Sequence, residues 1–290
     1  MLTLQAFKAE YDKNVTDTIT ESFTAVPLGY QEYTKDGGPA GAEVKTNAWS
    51  SFKVMSNWAD GQDLPLDEPA LRFARTAYML FYGLGFEATR NHIGYGSIQQ
   101  ILDWARSLGD SAATALAVAG AALLNAALTT ALGDGAALVA STHPTAGTTQ
   151  SNLVGAAALS PTTLAAMKLS MLQRVDFRGK RRPEVLQALI TGATLEDKAQ
   201  EIVGSNLAPY TTDNQINVRK GLRTITELYL TSQTAFFGIA ANHRLMRYTG
   251  SPMGQHNYDM ASRGGRVYGI KGDFLFDAQD WYGVAGCAGA

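Results

Sequence analysis

Four histidines are the residues with the most obvious capacity for chemistry: His92, His143, His243 and His256. No two of them have the spacing of a metal site, since the sequence contains neither H-E-x-x-H nor H-x-H. His143 follows Ser141 in S-T-H-P, where a hydrolase could use the histidine as general base and the serine as nucleophile. The sequence lacks a G-x-S-x-G elbow and indicates no acidic partner, which favours a histidine bonded within its own loop.

The remaining reactive groups are one cysteine and two charged segments. Cys287 lies in an apolar V-A-G-C-A tail, typical of a buried, inert thiol, and a single cysteine forms no internal disulfide. Asp63, Asp67 and Glu68 could bind a cation, but a solvated acidic tip, or one that faces basic residues of a neighbouring chain, is favoured. A basic cluster could contact nucleic acid, although pairing with acids of an adjoining subunit or simple solvation is favoured. The cluster comprises Arg174, Arg178, Lys180, Arg181 and Arg182.

One long predicted helix, residues 97–132, organises the elements that must position these groups. Its apolar residues recur three and four apart, Ser97 can cap it, and Gly133 can end it. Gly109 inside it predicts a bend. The G-Y-G before it lacks the third glycine of a dinucleotide fingerprint, because position 99 is Gln99. The helix would be about 50 Å long, and the face opposite its apolar residues carries mostly small side chains. Such a helix is typical of a support across which other elements lie.

An arm and a long hairpin precede this helix. Residues 1–24 contain a short amphipathic piece, with Leu4, Phe7 and Tyr11 on one face. Residues 25–47 are rich in glycine and proline and predict an extended arm with little secondary structure.

The hairpin is predicted from two extended runs joined by an acidic tip. The first strand is A-W-S-S-F-K-V-M (48–55), and the second begins at Leu71 and carries Arg72 and Arg75. Because hairpin loops usually have two to five residues, a tip this long is expected to reach a neighbouring molecule.

After the helix, the pattern alternates between helix and strand, which places the chain in the α+β class. The predicted elements are a helix capped by Ser160 with Pro161 as its first residue, a strand within 181–190, a short helix at 194–203, strands at 222–230 and 235–240, and a closing pair of strands at 265–277 and 281–287.

Composition limits the function classes. Hydrophobic residues make up 46% of the 290 residues, enough for a sizeable core, and only 17% are charged. So few charges favour a subunit that buries surface against other chains. A net charge of −2 argues against a domain with a dominant basic face. No basic region followed by an apolar run opens the sequence, and polar residues interrupt its longest apolar stretch, so we expect a cytosolic product without signal peptide or membrane span.

The order of these parts resembles the tailed-phage major capsid proteins of the Hong Kong 97-like fold, especially Mu-type major head subunits. The stretches that carry the resemblance are Y-G-L-G-F-E-A-T-R-N-H-I-G-Y-G (82–96), S-L-G-D-S-A-A-T-A-L (107–116), L-L-N-A-A-L (123–128), D-G-A-A-L-V-A-S-T-H-P-T-A-G-T-T-Q-S-N-L (134–153), L-S-P-T-T-L (159–164), R-R-P-E-V-L-Q-A-L-I (181–190), A-Q-E-I-V-G-S (199–205) and D-W-Y-G-V-A-G (280–286). The first eighty residues match in layout alone. Asn91-His92 stands where the family often has an acidic pair.

The resemblance implies an α+β capsid fold in five parts. These are an N-terminal arm (1–44), an extended hairpin or E-loop (45–81), a peripheral domain (82–179) with its spine helix (97–132), an axial domain (180–261) and a return to the peripheral domain (262–290). The residues expected at subunit contacts are Trp49, Phe52, Lys53, Trp58, Asp63, Asp67, Glu68, Arg72, Arg75, Arg178, Arg181 and Arg182.

The same resemblance implies a structural protein without catalysis, metal or cofactor. It would assemble with itself into pentamers and hexamers of an icosahedral virion shell, in the host cytoplasm, around non-specifically held double-stranded DNA. Its other partners would be a portal, a separate scaffolding protein and a decoration protein, with no membrane. Two alternatives stay open: an encapsulin-like nanocompartment, and a hydrolase using Ser141 and His143.

Overall fold

The computed structural model describes residues 4–59, 61–89, 98–145, 148–210, 216–260 and 265–290, with side chains from residue 10 onward. The helices are α1 (Leu4–Ala25), α2 (Ile98–Asn125), α3 (Pro161–Leu172) and α4 (Glu196–Gly204). The strands are β1 (Lys35–Pro39), β2 (Glu43–Trp49), β3 (Leu71–Tyr78), β4 (Leu80–Ala88), β5 (His143–Thr145), β6 (Thr148–Gln150), β7 (Leu186–Thr191), β8 (Arg223–Thr226), β9 (Phe236–Ala240), β10 (Leu245–Thr249), β11 (Gly254–Gln255), β12 (Tyr258–Met260), β13 (Gly265–Ala278) and β14 (Val284–Cys287).

Two larger sheets carry the fold. In the first, the long strand β13 pairs with β4 on one edge and with β10, β11 and β12 on the other, and β1 adds to β10 in parallel. The second sheet has the order β14-β9-β7-β8, with α3 and α4 contributing to its hydrophobic core. Helix α2 packs between α1 and the first sheet. The class is therefore α+β.

The spine helix is shorter than predicted, because it ends at Asn125 instead of residue 132. The Asn125 side chain donates to the Tyr229 carbonyl at 3.0 Å and accepts from the Thr231 N–H at 2.9 Å. These bonds fix the end of the helix against the loop before β9, and the chain then turns. The predicted Ser97 cap and the G-Y-G turn lie outside the described residues.

Gly109 serves close packing in this helix. A Cβ atom there would lie 2.4 Å from the Ile19 carbonyl oxygen of α1 and 2.9 Å from the Phe23 nitrogen. The absent side chain lets the two helix backbones approach each other directly. α2 is also long and apolar enough to cross a membrane, but half of its most apolar window is buried inside the fold. Its packing is that of a core helix.

The N-terminal region is more structured than the predicted arm. Helix α1 buries Tyr11, Val15 and Ile19, spaced four residues apart, against α2. The glycine- and proline-rich segment that follows forms a short 3₁₀ helix at Gly29–Glu32 and the strands β1 and β2. Strand β1 pairs with the distant strand β10, with Lys35 opposite Met246, which local sequence patterns cannot show. The side chains of Leu4 and Phe7 lie outside the described part.

The hairpin exists, but its first strand occupies different residues. Strand β2 starts at Glu43 and ends at Trp49, where the predicted strand had just begun. It pairs with β3 in antiparallel register. Residues 50–70 connect the two strands without helix or strand among those that the structure describes. We refer to residues 50–70 as the loop.

In the second sheet, the predictions of α3 and β7 are confirmed. Ser160 caps α3 and forms a capping box with Thr163, and Pro161 is the first residue. The prediction that the last two strands pair with each other is wrong. Strand β13 belongs to the first sheet, whereas β14 pairs with β9 in the second. The residues between them turn the chain from one sheet to the other, so the two strands were located correctly but their pairing was not.

Candidate assembly surface

The loop exposes an unusual number of large apolar side chains. Met55 is 96% exposed and Leu66 is 90% exposed. The other exposed apolar residues of the loop and the strand ends that carry it are Trp49, Phe52, Val54, Trp58, Leu64 and Leu71. Exposed apolar surface concentrated in one segment marks a contact with another molecule. The expected contact residues Trp49, Phe52 and Trp58 therefore lie on a surface that a partner could cover.

Arg178 holds the base of the loop to the body of the subunit. Its Nη1 atom donates to both carboxylate oxygens of Asp67, at 2.7 and 2.6 Å, and its Nη2 atom donates to the Glu68 carbonyl at 2.6 Å. Its Nε atom donates to the Ser50 hydroxyl at 3.3 Å. One guanidinium thus joins both ends of the loop, and we call this contact the latch.

Neighbouring residues extend the latch. Ser51 donates a hydrogen bond to Asp176, and Arg72 donates to the Phe177 carbonyl at 3.0 Å. The hydrogen bond from Arg178, followed by the Lys53 N–H, holds the pKa of Asp67 below its ordinary value. A carboxylate with a lowered folded-state pKa stabilises above its unfolded pKa of about 3.9 and loses this effect as the pH falls further. The latch therefore persists at neutral pH.

These bonds change the interpretation of the hairpin arginines. Arg72 and Arg75 were expected to reach a neighbouring subunit, but both have partners in their own chain. Arg75 Nη1 lies 2.6 Å from Asp277 Oδ1 on β13. By contrast, Asp63 and Glu68 have exposed side chains, and Lys53 lies 3.9 Å from Asp67 with its own side chain 77% exposed. The side chains of Asp63 and Glu68 are therefore available to a partner, whereas Asp67 is held by Arg178 in the latch.

The basic cluster is also neutralised largely within the subunit. Arg174 is buried and pairs with buried Glu184 at 2.9 Å. Arg182 lies over the Tyr282 ring at 4.4 Å and 3.8 Å from Glu184. Arg181 is exposed. The expected pairing of this cluster with an adjoining subunit is therefore wrong for Arg174 and Arg178, because the acids that they pair with come from distant parts of the same chain.

His143 is a structural residue. It is 0% exposed and stacks on Trp281 with ring centroids 4.3 Å apart. Its Nδ1 atom lies 2.8 Å from Asp134 Oδ2, and its Nε2 atom lies 3.1 Å from Asn152 Oδ1. Asn152 Oδ1 also accepts from the Ala140 N–H at 2.8 Å, so Nε2 must be the donor in this bond.

This arrangement gives no support to a hydrolase. The nitrogen that a general base would present to Ser141 is occupied by Asn152, inside the protein. The acidic partner that the sequence did not indicate is Asp134, nine residues upstream in the G-D-G after the spine helix. The sequence does contain one signal for this pairing, because Asp134 lies in the G-D-G turn at the start of the segment that leads to His143.

His143→Ala is expected to destabilise the subunit by about 2–4 kcal/mol, since it removes the ring stacked on Trp281 and leaves Asp134 buried without that partner. Thermal or urea unfolding measures the loss. The matched control is Ser141→Ala, at an exposed position of the same loop, which should change stability by less than about 0.5 kcal/mol. Unchanged stability of the histidine variant would contradict the structural role.

The other reactive groups also have structural surroundings. Cys287 is buried, and its thiol lies 3.1 Å from the Gly155 carbonyl. Within the described ranges, no three histidine, cysteine, aspartate or glutamate side chains come together as metal ligands.

Comparison with known proteins agrees with this structural picture. A family model described as phage capsid protein matches residues 75–286. No curated protein matches the chain significantly. Among solved structures, the virus-like particle from Pyrococcus furiosus aligns with a TM-score of 0.57 at 8% identity, covering 96% of this chain and 99% of that chain.

Phage structures align in the same way. The procapsid of bacteriophage JBD30 gives a TM-score of 0.53 at 12% identity, covering 98% of this chain and 75% of that one. The capsid of a native GTA particle gives 0.57 at 7% identity, covering 90% of each chain. At such identities the likeness shows the fold, which is the Hong Kong 97-like capsid fold. Because the family model spans most of the sequence, the chain belongs to the phage capsid protein family and is a major capsid shell protein.

Proposed function

We propose that the chain assembles into pentamers and hexamers of an icosahedral shell around double-stranded DNA, and that it catalyses no reaction. The observation that carries the proposal is the exposed apolar surface of the loop. A chain that orders this segment at its base, yet leaves Met55 and Leu66 in water, has surface that another copy can cover. Burial of apolar surface is the main driving force of association.

The dimensions of the loop fit this role. The loop has 21 residues, and the latch holds both of its ends. The chain therefore runs about ten residues outward and about ten residues back, and we call each half a limb. At about 3.3 Å per residue, an extended limb reaches on the order of 30 Å. Such a projection can cross from one subunit onto the next.

The parts of the fold would have different positions in the shell. In our proposal, β2, β3 and the loop form the element that reaches the neighbour. Helix α2, with the sheet around β13, forms the peripheral part. The sheet β14-β9-β7-β8, with α3 and α4, forms the axial part around the symmetry axes. This proposal departs from the expected axial range 180–261, because it adds α3 and β14 and leaves β10, β11 and β12 with β13 in the peripheral part. Closeness to Mu-type head subunits belongs to the same proposal.

The composition of the chain bears on partners other than the chain itself. The net charge of −2 suits a container whose wall does not hold DNA tightly. A portal, a separate scaffolding protein and a decoration protein would complete the particle, and assembly would take place in the host cytoplasm before the subunit becomes part of the virion.

Electron microscopy of the purified protein tests the proposal. Closed shells of uniform size are the expected result, and a protein that stays monomeric at all concentrations would overturn it. A nanocompartment is the second candidate, supported by the full-length alignment with a virus-like particle. Nuclease-protected DNA inside particles isolated from infected cells would favour the virion, and a protein cargo would favour the nanocompartment.

Replacing residues 54–66 with a short Gly-Ser linker is expected to abolish shells and leave the subunit folded. The linker removes the exposed apolar residues Val54, Met55, Trp58, Leu64 and Leu66. It keeps Ser50, Ser51, Asp67 and Glu68, so the latch remains. Electron microscopy and circular dichroism measure the two properties. The matched control is Ser56→Ala with Gln62→Ala, which changes exposed polar residues of the same segment and should leave assembly intact. Normal shells from the linker variant would refute the role of the loop.

A further inference from the structure

A mainly apolar cavity of about 220 Å³ lies where the hairpin joins the body of the subunit. Its walls come from the C-terminal half of α2, the start of β4 and the end of β13, and Leu132 and Leu138 line it from the segment after the helix. An engineered apolar cavity of about 150 Å³ is already large enough to bind benzene. This cavity can therefore hold a molecule of the size of one substituted aromatic ring.

The walls of the cavity suit a flat molecule. The helix contributes methyl groups, since Ala119, Ala122 and Ala126 recur three and four residues apart and share one face. The sheet contributes Tyr82, whose ring stacks on that of Phe274 with the centroids 4.1 Å apart. Small side chains on the helix and aromatic rings on the sheet leave a space in which another ring finds apolar and aromatic contacts.

One polar atom of the cavity wall has no hydrogen-bond partner among the described residues. Asp277 is 3% exposed and lines the cavity, and its Oδ2 atom accepts no hydrogen bond there. Its Oδ1 atom accepts from Arg75 Nη1 at 2.6 Å. Burial raises the pKa of Asp277, and the Arg75 guanidinium opposes this shift. Because an unpaired buried carboxylate oxygen is costly, a donor on a bound molecule would be stabilising here.

The charges at the cavity select a neutral ligand. Arg75 and Asp277 both line it and pair with each other, so their charges largely cancel. An anionic ligand would meet the carboxylate of Asp277, and a cationic ligand would meet the guanidinium of Arg75. A neutral molecule with one O–H or N–H donor avoids both repulsions and still satisfies Oδ2.

We propose that this cavity is a binding site for a small neutral aromatic molecule that carries one hydrogen-bond donor, of which phenol is the simplest. The ring lies between the alanines of α2 and the rings of Tyr82 and Phe274, and its O–H donates to Asp277 Oδ2. The ligand contacts α2, β4 and β13 together, so it stabilises the junction at which the hairpin leaves the body. The site requires only the folded subunit and is independent of the proposed function.

Titration of the purified full chain with three probes, followed by calorimetry and ligand-observed NMR, tests the chemistry of the site. Phenol should bind at least tenfold more tightly than toluene, which has a similar shape but leaves Oδ2 without a donor. Benzoate, whose carboxylate would lie next to Asp277, should also bind at least tenfold more weakly than phenol. Phenol at roughly ten times its dissociation constant should raise the Tm by about 3–6 °C. No saturable binding of phenol, or equally tight binding of toluene, would overturn the site.

Filling the cavity tests its location. Ala119→Leu should lower the affinity for phenol at least tenfold and keep or raise the Tm of the ligand-free protein, because cavity-filling substitutions are commonly stabilising. Ala122→Leu, at an exposed position of the cavity wall, is a second filling variant in case the first one overpacks the core. The matched control is Thr114→Leu, which lies exposed on α2 outside the described cavity lining and should leave the affinity unchanged. Unchanged affinity in both filling variants would place phenol elsewhere and overturn the assignment.

Discussion

Replacing Glu184 with alanine is expected to destabilise the subunit by about 3–5 kcal/mol, because it leaves the Arg174 cation buried without its counterion. Glu184 accepts hydrogen bonds from Arg174 at 2.9 Å, from Asn242 at 3.2 Å and from the Gly283 N–H. Burial lowers the pKa of Arg174, and the nearby carboxylate of Glu184 opposes that effect. A loss of this size approaches the whole stability of many domains.

Solubility on expression and urea unfolding measure this loss. The matched control is Arg182→Ala, which removes a partly exposed cation that lies 3.8 Å from the same carboxylate and should cost less than about 1 kcal/mol. Replacing both buried partners, Arg174→Met with Glu184→Leu, should recover much of the stability, because no unpaired charge remains. A soluble Glu184→Ala protein with native stability would show that the pair is not needed.

Leu116→Asp is expected to abolish soluble protein. Leu116 is 7% exposed and belongs to the main hydrophobic core, so the new carboxylate would be buried without a partner. The cost is several kcal/mol, at the extreme of single substitutions.

The same helix supplies the control for this substitution. Val118, two residues further along α2, is 47% exposed, and Val118→Asp should give folded protein. Comparing the soluble fractions of the two variants separates burial of charge from an effect on helix propensity. Equal yields of the two variants would mean that the apolar face of the spine helix that carries Leu116 does not face the core.

Much of the architecture could be predicted from the sequence because it depends on local pattern. The spine helix, the capped helix α3 and the strand β7 each have their own periodicity, and the order of such elements carries the family resemblance. The early end of the spine helix was missed, since Asn125 is fixed by the distant Tyr229 and Thr231.

The latch could not be predicted for the same physical reason. Asp67 and Arg178 lie 111 positions apart, and each looks like an ordinary surface charge in its own segment. Likewise, the sequence of residues 265–287 indicates two strands, β13 and β14, but not which sheet each of them joins. Sequence patterns indicate how a segment folds locally, whereas long-range pairing depends on the remainder of the chain.

The position of β14 has a consequence for how the subunit folds. Residues 280–287 include Trp281, Tyr282 and Val284, all buried, and Val284 supplies the carbonyl that Arg174 contacts at 2.6 Å. On the ribosome these residues emerge after nearly everything that they pack against. The Arg174–Glu184 pair therefore gains its last partners late in synthesis, and contacts of such large sequence separation are typical of slow folding. Because β14 completes this core, the assembly-competent state would be delayed until residues 280–287 have been made.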